Sequence, residues 1–192
     1  MAGDPTDGMV ATESETELEI GDEAPTFELP GVDGRFDLAE TTAPAVLVVF
    51  TCNHCPYAQA KFELLNDLAA EYDDCLVVGI NPNDAEEYPD DSVEAMETYV
   101  ADGEVAYDAY LRDERQDVAR AYGAVCTPDP FLLRRDGDGY RLAYHARLDD
   151  ALNPDDETSE VYVRDAIDRV LAGEPVEMDP GPSRGCSIKW QA

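Results

Sequence analysis

One stretch of the sequence decides the fold, and it reads AVLVVFTCNHCPY at residues 45–57. It opens with Ala45–Phe50, an apolar run rich in β-branched side chains, which predicts a fully buried central strand. The residues after it predict an amphipathic helix, because apolar side chains recur every three or four positions at Ala58, Phe62, Leu65, Ala69 and Tyr72. Cys52 and Cys55 therefore lie where a buried strand gives way to a helix.

The rest of the chain predicts an α/β protein. Residues 27–29 and 36–38 alternate apolar and polar side chains around Asp33-Gly34, which indicates an N-terminal β-hairpin. A β-α-β unit follows, and then an inserted helical segment in which Asp91 and Glu94 are placed as a capping box. Two strands and a last helix complete the order. The predicted architecture is a central mixed β-sheet flanked by helices.

The sequence predicts one folded domain with two irregular ends. Residues 1–18 are acidic and without periodicity, so we expect them to be disordered. Residues 19–173 hold the predicted elements, and residues 174–192 form a tail rich in proline and glycine that we expect to be irregular. The densest apolar run is far shorter than the ~18–20 residues of a membrane-spanning helix. The acidic N-terminus is unlike a secretory signal, which predicts a cytoplasmic protein.

The charge balance excludes two classes of partner. The chain has 44 Asp and Glu against 13 Lys and Arg, for a net charge of −31. Nucleic acids and anionic membranes are bound through cationic contacts, so neither is an expected partner. Acidic residues occur in nearly every loop and on helix faces, which favours a halophilic surface over a localised acidic docking face. High salt would screen the resulting repulsion.

Cys52 and Cys55 form the predicted chemical centre. Thiol–disulfide exchange needs a thiolate, which a helix N-terminus stabilises, and two intervening residues let both sulfurs close a small ring. A CxxC motif can also be half of a zinc site, but such a site usually needs a second closely spaced pair. Cys75, Cys126 and Cys186 stand alone. We therefore expect no metal and no bound cofactor, and the alternative is a metal cluster of Cys52, His54, Cys55 and Cys126.

These motifs resemble the peroxiredoxin-like, AhpC/TSA-related branch of the thioredoxin superfamily. The resemblance covers roughly residues 20–172, and the ending GCSIKW at 185–190 is also similar. It is carried by the hairpin, by VLVVFTCNHCPY, by residues 110–113 and by AYGAVCTPDPFLL at 121–133. It implies a thioredoxin-like fold in which Thr127-Pro128 is a cis-proline loop beside the cysteines. The motif residues Asn53 and His54 then support the site, and the histidine resembles that of oxidising members, where it favours the thiolate.

Pro56 and the resemblance to thioredoxins favour different cysteines as the nucleophile. Proline is favoured at the first helical position, so Pro56 makes Cys55 the helix cap and the low-pKa thiol, with Cys52 as its partner. In thioredoxins, by contrast, the first cysteine of the motif lies at the helix start, which would select Cys52. The sequence favours Cys55 and leaves the choice open.

The predicted function is that of a thiol–disulfide oxidoreductase, which cycles a Cys52–Cys55 disulfide with protein dithiol partners. A peroxiredoxin-type thiol peroxidase and a non-catalytic redox sensor or adaptor are the alternatives. Peroxiredoxins carry a PxxxTxxC motif and an arginine, but Val48 and Cys52 occupy the proline and threonine positions relative to Cys55, and Pro128 replaces the arginine. Cys186 in the tail is a candidate resolving thiol or a bystander. The partner, the direction of electron flow and the oligomeric state stay open.

Overall fold

The computed structural model describes residues 11–192, which form two β-sheets and five α-helices. The strands are β1 Ala11–Glu13, β2 Glu28–Gly31, β3 Gly34–Asp37, β4 Ala45–Phe50, β5 Cys75–Asn81, β6 Ala109–Arg112, β7 Cys126–Thr127, β8 Asp129–Asp136, β9 Gly139–Tyr144 and β10 Arg184–Ser187. The helices are α1 Pro56–Gln59, α2 Phe62–Glu71, α3 Val93–Ala101, α4 Asp117–Tyr122 and α5 Tyr162–Leu171, with 3-10 turns at Leu38–Glu40 and Pro89–Asp91. Among these residues, no helix has the length and apolar character required to cross a bilayer.

The main sheet is mixed and has the strand order β3-β2-β6-β5-β4-β8-β9. Its centre is β4, which is fully buried and pairs in parallel with β5 and antiparallel with β8. Alternate residues of β4 point to opposite faces. Val46 and Val48 pack with α4, whereas Leu47 and Val49 pack with α2 and α5. The predicted central mixed sheet flanked by helices is confirmed.

Local sequence patterns predicted some boundaries of the strands and helices correctly and others incorrectly. The hairpin forms as predicted, with Leu29 opposite Phe36. The single helix expected after the cysteines is divided into α1 and α2, which are separated at residues 60–61. The predicted capping box is wrong, because the side chain of Ser92 caps α3 by accepting from the Ala95 N–H at 3.2 Å. Asp91 is instead drawn into the protein interior.

Both chain ends differ from the expected irregular structure. In the tail predicted as irregular, residues 184–187 form β10, which lies between β1 and β7 in a small antiparallel sheet. Within the segment predicted as disordered, residues 11–13 form β1, while residues 1–10 lie outside the described residues. The backbone N–H and C=O groups at the edge of β7 need hydrogen-bond partners, and the tail supplies them by forming β10. This pairing places the tail next to Pro128, which directly follows β7.

The close approach of β10 to β7 makes Gly185 sensitive to substitution. A Cβ atom at this position would lie 1.8 Å from the Thr127 carbonyl oxygen, so the backbone would have to move. We expect Gly185→Ala to lower the free energy of unfolding by about 3 kcal/mol, the upper part of the usual range for overpacking. Gly139→Ala is the control, because its Cβ would meet nothing within 4 Å. Equal stability of the two variants in denaturant titrations would contradict this close packing.

Candidate active site

The two cysteines of the motif lie in the turn that joins β4 to α1. Cys55 is the N-cap of α1 and Pro56 occupies its first turn, as the proline predicted. The Cys55 carbonyl accepts the Gln59 N–H at 2.9 Å, which closes the first helical turn. Both Cys52 and Cys55 are free thiols with 0% of their surface exposed. Strand and helix therefore bring both sulfurs into one buried site.

Cys55 is the thiol whose surroundings favour the anion. Hydrogen bonds from the thiols of Cys186 and Cys52 lower its pKa far below the ordinary value, and backbone N–H groups of Ala58 and Cys186 add to this effect. Burial acts in the opposite direction but is outweighed. When it is protonated, the Cys55 thiol has an acceptor in the Thr127 carbonyl oxygen, 3.7 Å away. The donors around this sulfur stabilise a thiolate.

Cys52 has the opposite character. Burial raises the pKa of this thiol well above its ordinary value, and its hydrogen bond to Cys55 and the nearby Asp91 carboxylate raise it further. The Thr127 hydroxyl, 3.4 Å from the Cys52 sulfur, only partly offsets these effects. One sulfur is thus held as an anion and the other as a thiol that donates to it. This asymmetry separates an attacking thiol from a resolving one.

The buried carboxylate of Asp91 lies outside the CxxC motif and contacts two of its residues, Asn53 and His54. One oxygen accepts the Asn53 N–H at 2.7 Å and the Asn81 side-chain amide at 3.2 Å. The other accepts the Asn83 amide at 3.0 Å and is paired with His54 Nδ1. Burial alone would raise the pKa of Asp91, but the His54 contact and these donors leave it lowered. The same contact with Asp91 raises the pKa of His54.

Asn53 fixes the turn between the two cysteines. Its side-chain amide donates to the Asp90 carbonyl at 2.9 Å, and its side-chain oxygen accepts the Tyr110 hydroxyl at 2.6 Å. The ring of His54 stacks on Tyr88, with centroids 5.5 Å apart. Both motif residues are therefore held by the segment that precedes α3. The sequence predicted supporting roles for Asn53 and His54, whereas Asp91 was predicted only as part of a capping box.

The loop Thr127-Pro128 lies against both sulfurs. The peptide bond between these residues is cis, as the resemblance implied. Thr127 touches Cys52 through its hydroxyl and Cys55 through its carbonyl, and it lies opposite Cys186 in the β7–β10 pair. The structure thus brings together Cys52, Cys55, Cys186 and the proline loop. The predicted tail cysteine is part of this cluster rather than a distant bystander.

Three groups in the cluster have the chemistry of metal ligands. Cys52, His54 and Asp91 each offer a donor atom, and these atoms lie within 4.8 Å of one another. The carboxylate oxygens of Asp91, however, already accept three N–H donors besides His54. A metal would have to displace some of these contacts. The arrangement fits a hydrogen-bonded network better than a preformed metal centre.

The sequence of this chain matches a known protein family. The AhpC/TSA family profile matches residues 20–138. The chain belongs to the AhpC/TSA family. A search of curated proteins gave no match. Among solved structures, an uncharacterized conserved protein from Geobacillus kaustophilus is 40% identical to this AhpC/TSA member, with a TM-score of 0.87 over 96% of this chain and 98% of its own.

Two more distant structures share the fold of this AhpC/TSA family member. The thioredoxin domain of a thiol-disulfide oxidoreductase from Bacteroides vulgatus is 16% identical, with a TM-score of 0.55 over 67% of this chain and 89% of that one. Peroxidoxin BcpB from Mycobacterium tuberculosis is 19% identical, with a TM-score of 0.56 over 81% of this chain and 96% of that one. These two likenesses show the fold alone. Together with the family match, they confirm a thioredoxin-like fold in a member of the AhpC/TSA family.

Proposed function

We propose that this protein is a thiol–disulfide oxidoreductase in which Cys55 attacks and Cys52 resolves. The observation that carries the proposal is the asymmetry of the two sulfurs, because donors surround Cys55 while burial keeps Cys52 protonated. A redoxin fold with two such thiols beside a cis-proline loop is suited to exchange with protein disulfides.

The proposed reaction conserves atoms and electrons. The Cys55 thiolate attacks one sulfur of a protein disulfide, which forms a mixed disulfide and releases the other sulfur as a thiolate. Cys52 then passes its proton to the substrate thiolate already released and attacks the Cys55 sulfur, which releases the second substrate thiolate. The chain ends with a Cys52–Cys55 disulfide and the substrate gains two electrons, and the same steps in reverse oxidise a protein dithiol. His54, which is paired with Asp91, has a ring nitrogen within 4.8 Å of the Cys52 sulfur, and a protonated imidazole there would stabilise the thiolate formed on Cys52.

Because the site is closed to solvent, the reaction requires a local movement of the chain. The sulfurs of Cys52 and Cys55 have no exposed surface, and β10 packs against α1 over them. A substrate disulfide therefore reaches Cys55 only when β10 or the turn at 53–57 shifts. Peroxidase chemistry has less support, because Val48, Cys52 and Pro128 stand where peroxiredoxins carry proline, threonine and arginine. The proline, threonine and arginine that peroxiredoxins use to polarise the peroxide are therefore missing at these positions.

Insulin reduction tests the proposed function. We expect Cys55→Ser and Cys52→Ser each to lower turnover by more than about 100-fold, because each removes a sulfur that forms a required bond. Cys75→Ser and Cys126→Ser are matched controls, since both remove buried thiols outside the pair and both thiols have raised pKa values. The assay is best run at ~1 M salt, where a screening length of ~3 Å relieves self-repulsion.

Different failures of this assay would support different alternatives. A wild-type protein that forms the Cys52–Cys55 disulfide but reduces no insulin would be a redox sensor or adaptor. Rapid consumption of hydrogen peroxide that survives in Cys52→Ser would indicate a peroxidase. Retention of insulin reduction in both motif variants would exclude the proposed mechanism.

A further inference from the structure

The C-terminal strand occupies the edge at which a substrate strand would pair. β10 runs antiparallel to β7, with Cys186 opposite Thr127 and Ser187 opposite Cys126. Thr127 is the residue that contacts both motif sulfurs and precedes the cis-proline. An extended peptide docked beside this proline would add its backbone to the same edge. Residues 184–187 of the chain itself fill that position.

Cys186 is placed on this strand as a substrate cysteine would be. Cys186 is 2% exposed and packs in one buried cluster with Cys52 and Cys55, and its thiol donates a hydrogen bond to the Cys55 sulfur. This contact raises the pKa of Cys186 and lowers that of Cys55. Cys55 therefore faces two thiols, Cys52 from its own turn and Cys186 from the tail.

Contacts on both sides of Cys186 hold the strand in place. Before it, the Ser183 hydroxyl donates to the Pro128 carbonyl at 2.7 Å. After it, the Ile188 N–H donates to the Val125 carbonyl at 2.9 Å, and the Lys189 N–H donates to the Asn83 side-chain oxygen at 2.9 Å. Since the strand is fixed on both sides, the Cys186 sulfur is presented to Cys55 as an intramolecular reactant at high effective concentration.

We propose that Cys186 acts as an internal substrate cysteine and forms a second disulfide, Cys55–Cys186, in exchange with Cys52–Cys55. This proposal rests on the proposed function, in which a protein disulfide oxidises the motif. Cys186 loses its proton and attacks the Cys55 sulfur, so that the Cys55–Cys186 bond forms as the Cys52–Cys55 bond breaks. Cys52 leaves as a thiolate and takes up a proton. The step is an isomerisation at constant oxidation state, so no further oxidant is needed.

The second disulfide would determine which substrates gain access. With Cys55 bound to Cys186, β10 is covalently held on the β7 edge. A partner reaches Cys55 only by replacing residues 184–187 with an extended cysteine-containing segment of its own. The preferred substrate class is therefore a strand-forming protein segment rather than a small soluble disulfide.

Disulfide mapping tests the proposal on the intact chain. Reduced protein is treated with one equivalent of diamide, quenched in acid, alkylated and digested with trypsin. Cys52 and Cys55 share the tryptic peptide 36–61, while Cys186 lies in the peptide 185–189. We expect wild-type protein to yield both a looped 36–61 peptide and the 36–61/185–189 linked pair. Cys52→Ser, which removes the competing thiol, should yield mainly the linked pair.

The remaining variants make the test specific. Cys55→Ser should lower the yield of the linked pair by at least about tenfold, and Cys186→Ser should leave only the looped peptide, because each removes one of the two proposed bonding sulfurs. Cys126→Ser, in the strand that pairs with β10, should behave as wild type. A folded Cys52→Ser protein whose Cys186 is still fully alkylated would overturn the inference. If insulin reduction failed while the linked pair still formed, only the proposed function would be contradicted.

Discussion

Reduced protein at pH 5 is expected to hold one thiolate, on Cys55. An ordinary cysteine of pKa ~8.5 would be ionised in roughly one molecule in 3,000 at this pH. The hydrogen bonds from Cys186 and Cys52 and from backbone N–H groups lower the pKa of Cys55 far enough to make ionisation essentially complete. The difference of about three orders of magnitude is measured from the ultraviolet absorbance of the thiolate. This measurement does not require the buried sulfur to be accessible to a reagent.

Variants assign the thiolate signal to a residue. Cys55→Ser should abolish it, whereas Cys52→Ser should keep it, because a serine hydroxyl can still donate to Cys55. Cys186→Ala removes the largest contribution to the shift and should move the titration to higher pH. Cys75→Ser is the control, since burial raises the pKa of Cys75 to about 12. Loss of the signal in Cys52→Ser and its survival in Cys55→Ser would reverse the two roles.

The same pKa shift determines the redox character of the pair. Because the pKa of Cys55 is lower in the folded chain, its thiolate stabilises the reduced form. That contribution is fully present above pH ~8.5 and is lost as the pH falls towards the lowered pKa. A stabilised reduced form makes the disulfide a stronger oxidant. We therefore expect a more oxidising couple, as the resemblance of His54 to the histidine of oxidising members also implies.

The features that could be predicted are those encoded by neighbouring residues. Ala45–Phe50 carries its own burial signal, and Pro56 fixes Cys55 as the cap because proline geometry acts on adjacent residues. The hairpin follows from alternation around Asp33-Gly34 for the same reason. Local chemistry was sufficient to place the two sulfurs at a strand–helix junction.

The features that could not be predicted depend on distant partners. Asp91 looks like any acid at a helix start, and only the fold brings it to Asn53 and His54. The strand Arg184–Ser187 has no periodicity or β-branched run, because its stability comes from pairing with β1 and β7. Simple alternation would place Tyr140, Leu142 and Tyr144 on one face of β9, and the strand departs from that pattern for a similar reason. The pairing of β8 with β9 shifts register between Leu132 and Leu133. As a result, Tyr144 packs in a different hydrophobic core from Tyr140.

Replacing Asp91 by alanine is expected to lower the free energy of unfolding by about 3–5 kcal/mol, the usual cost of removing one partner of a buried ionic contact. The variant would leave the Asn53 N–H, the amides of Asn81 and Asn83, and His54 without their acceptor. Asp90→Ala is the matched control, because the neighbouring Asp90 side chain is exposed and only its backbone carbonyl contacts Asn53. We expect the control to stay within about 0.5 kcal/mol of wild type in denaturant titrations.

Asp91→Asn separates the charge of this side chain from its shape. The amide keeps an acceptor oxygen but loses the negative charge, so the raised pKa of His54 should fall towards ~6.5 in an NMR titration. His145, which lies 2.8 Å from Asp129, is the internal reference in a chain with two histidines. The ion pair contributes to folding stability only where Asp91 is ionised and His54 is protonated, which is between the lowered pKa of Asp91 and the raised pKa of His54. This contribution is lost as the pH rises through the pKa of His54. The stability deficit of Asp91→Asn should therefore shrink above that pH. A deficit that is constant with pH, with an unshifted His54, would mean that the carboxylate holds the turn by hydrogen bonding alone.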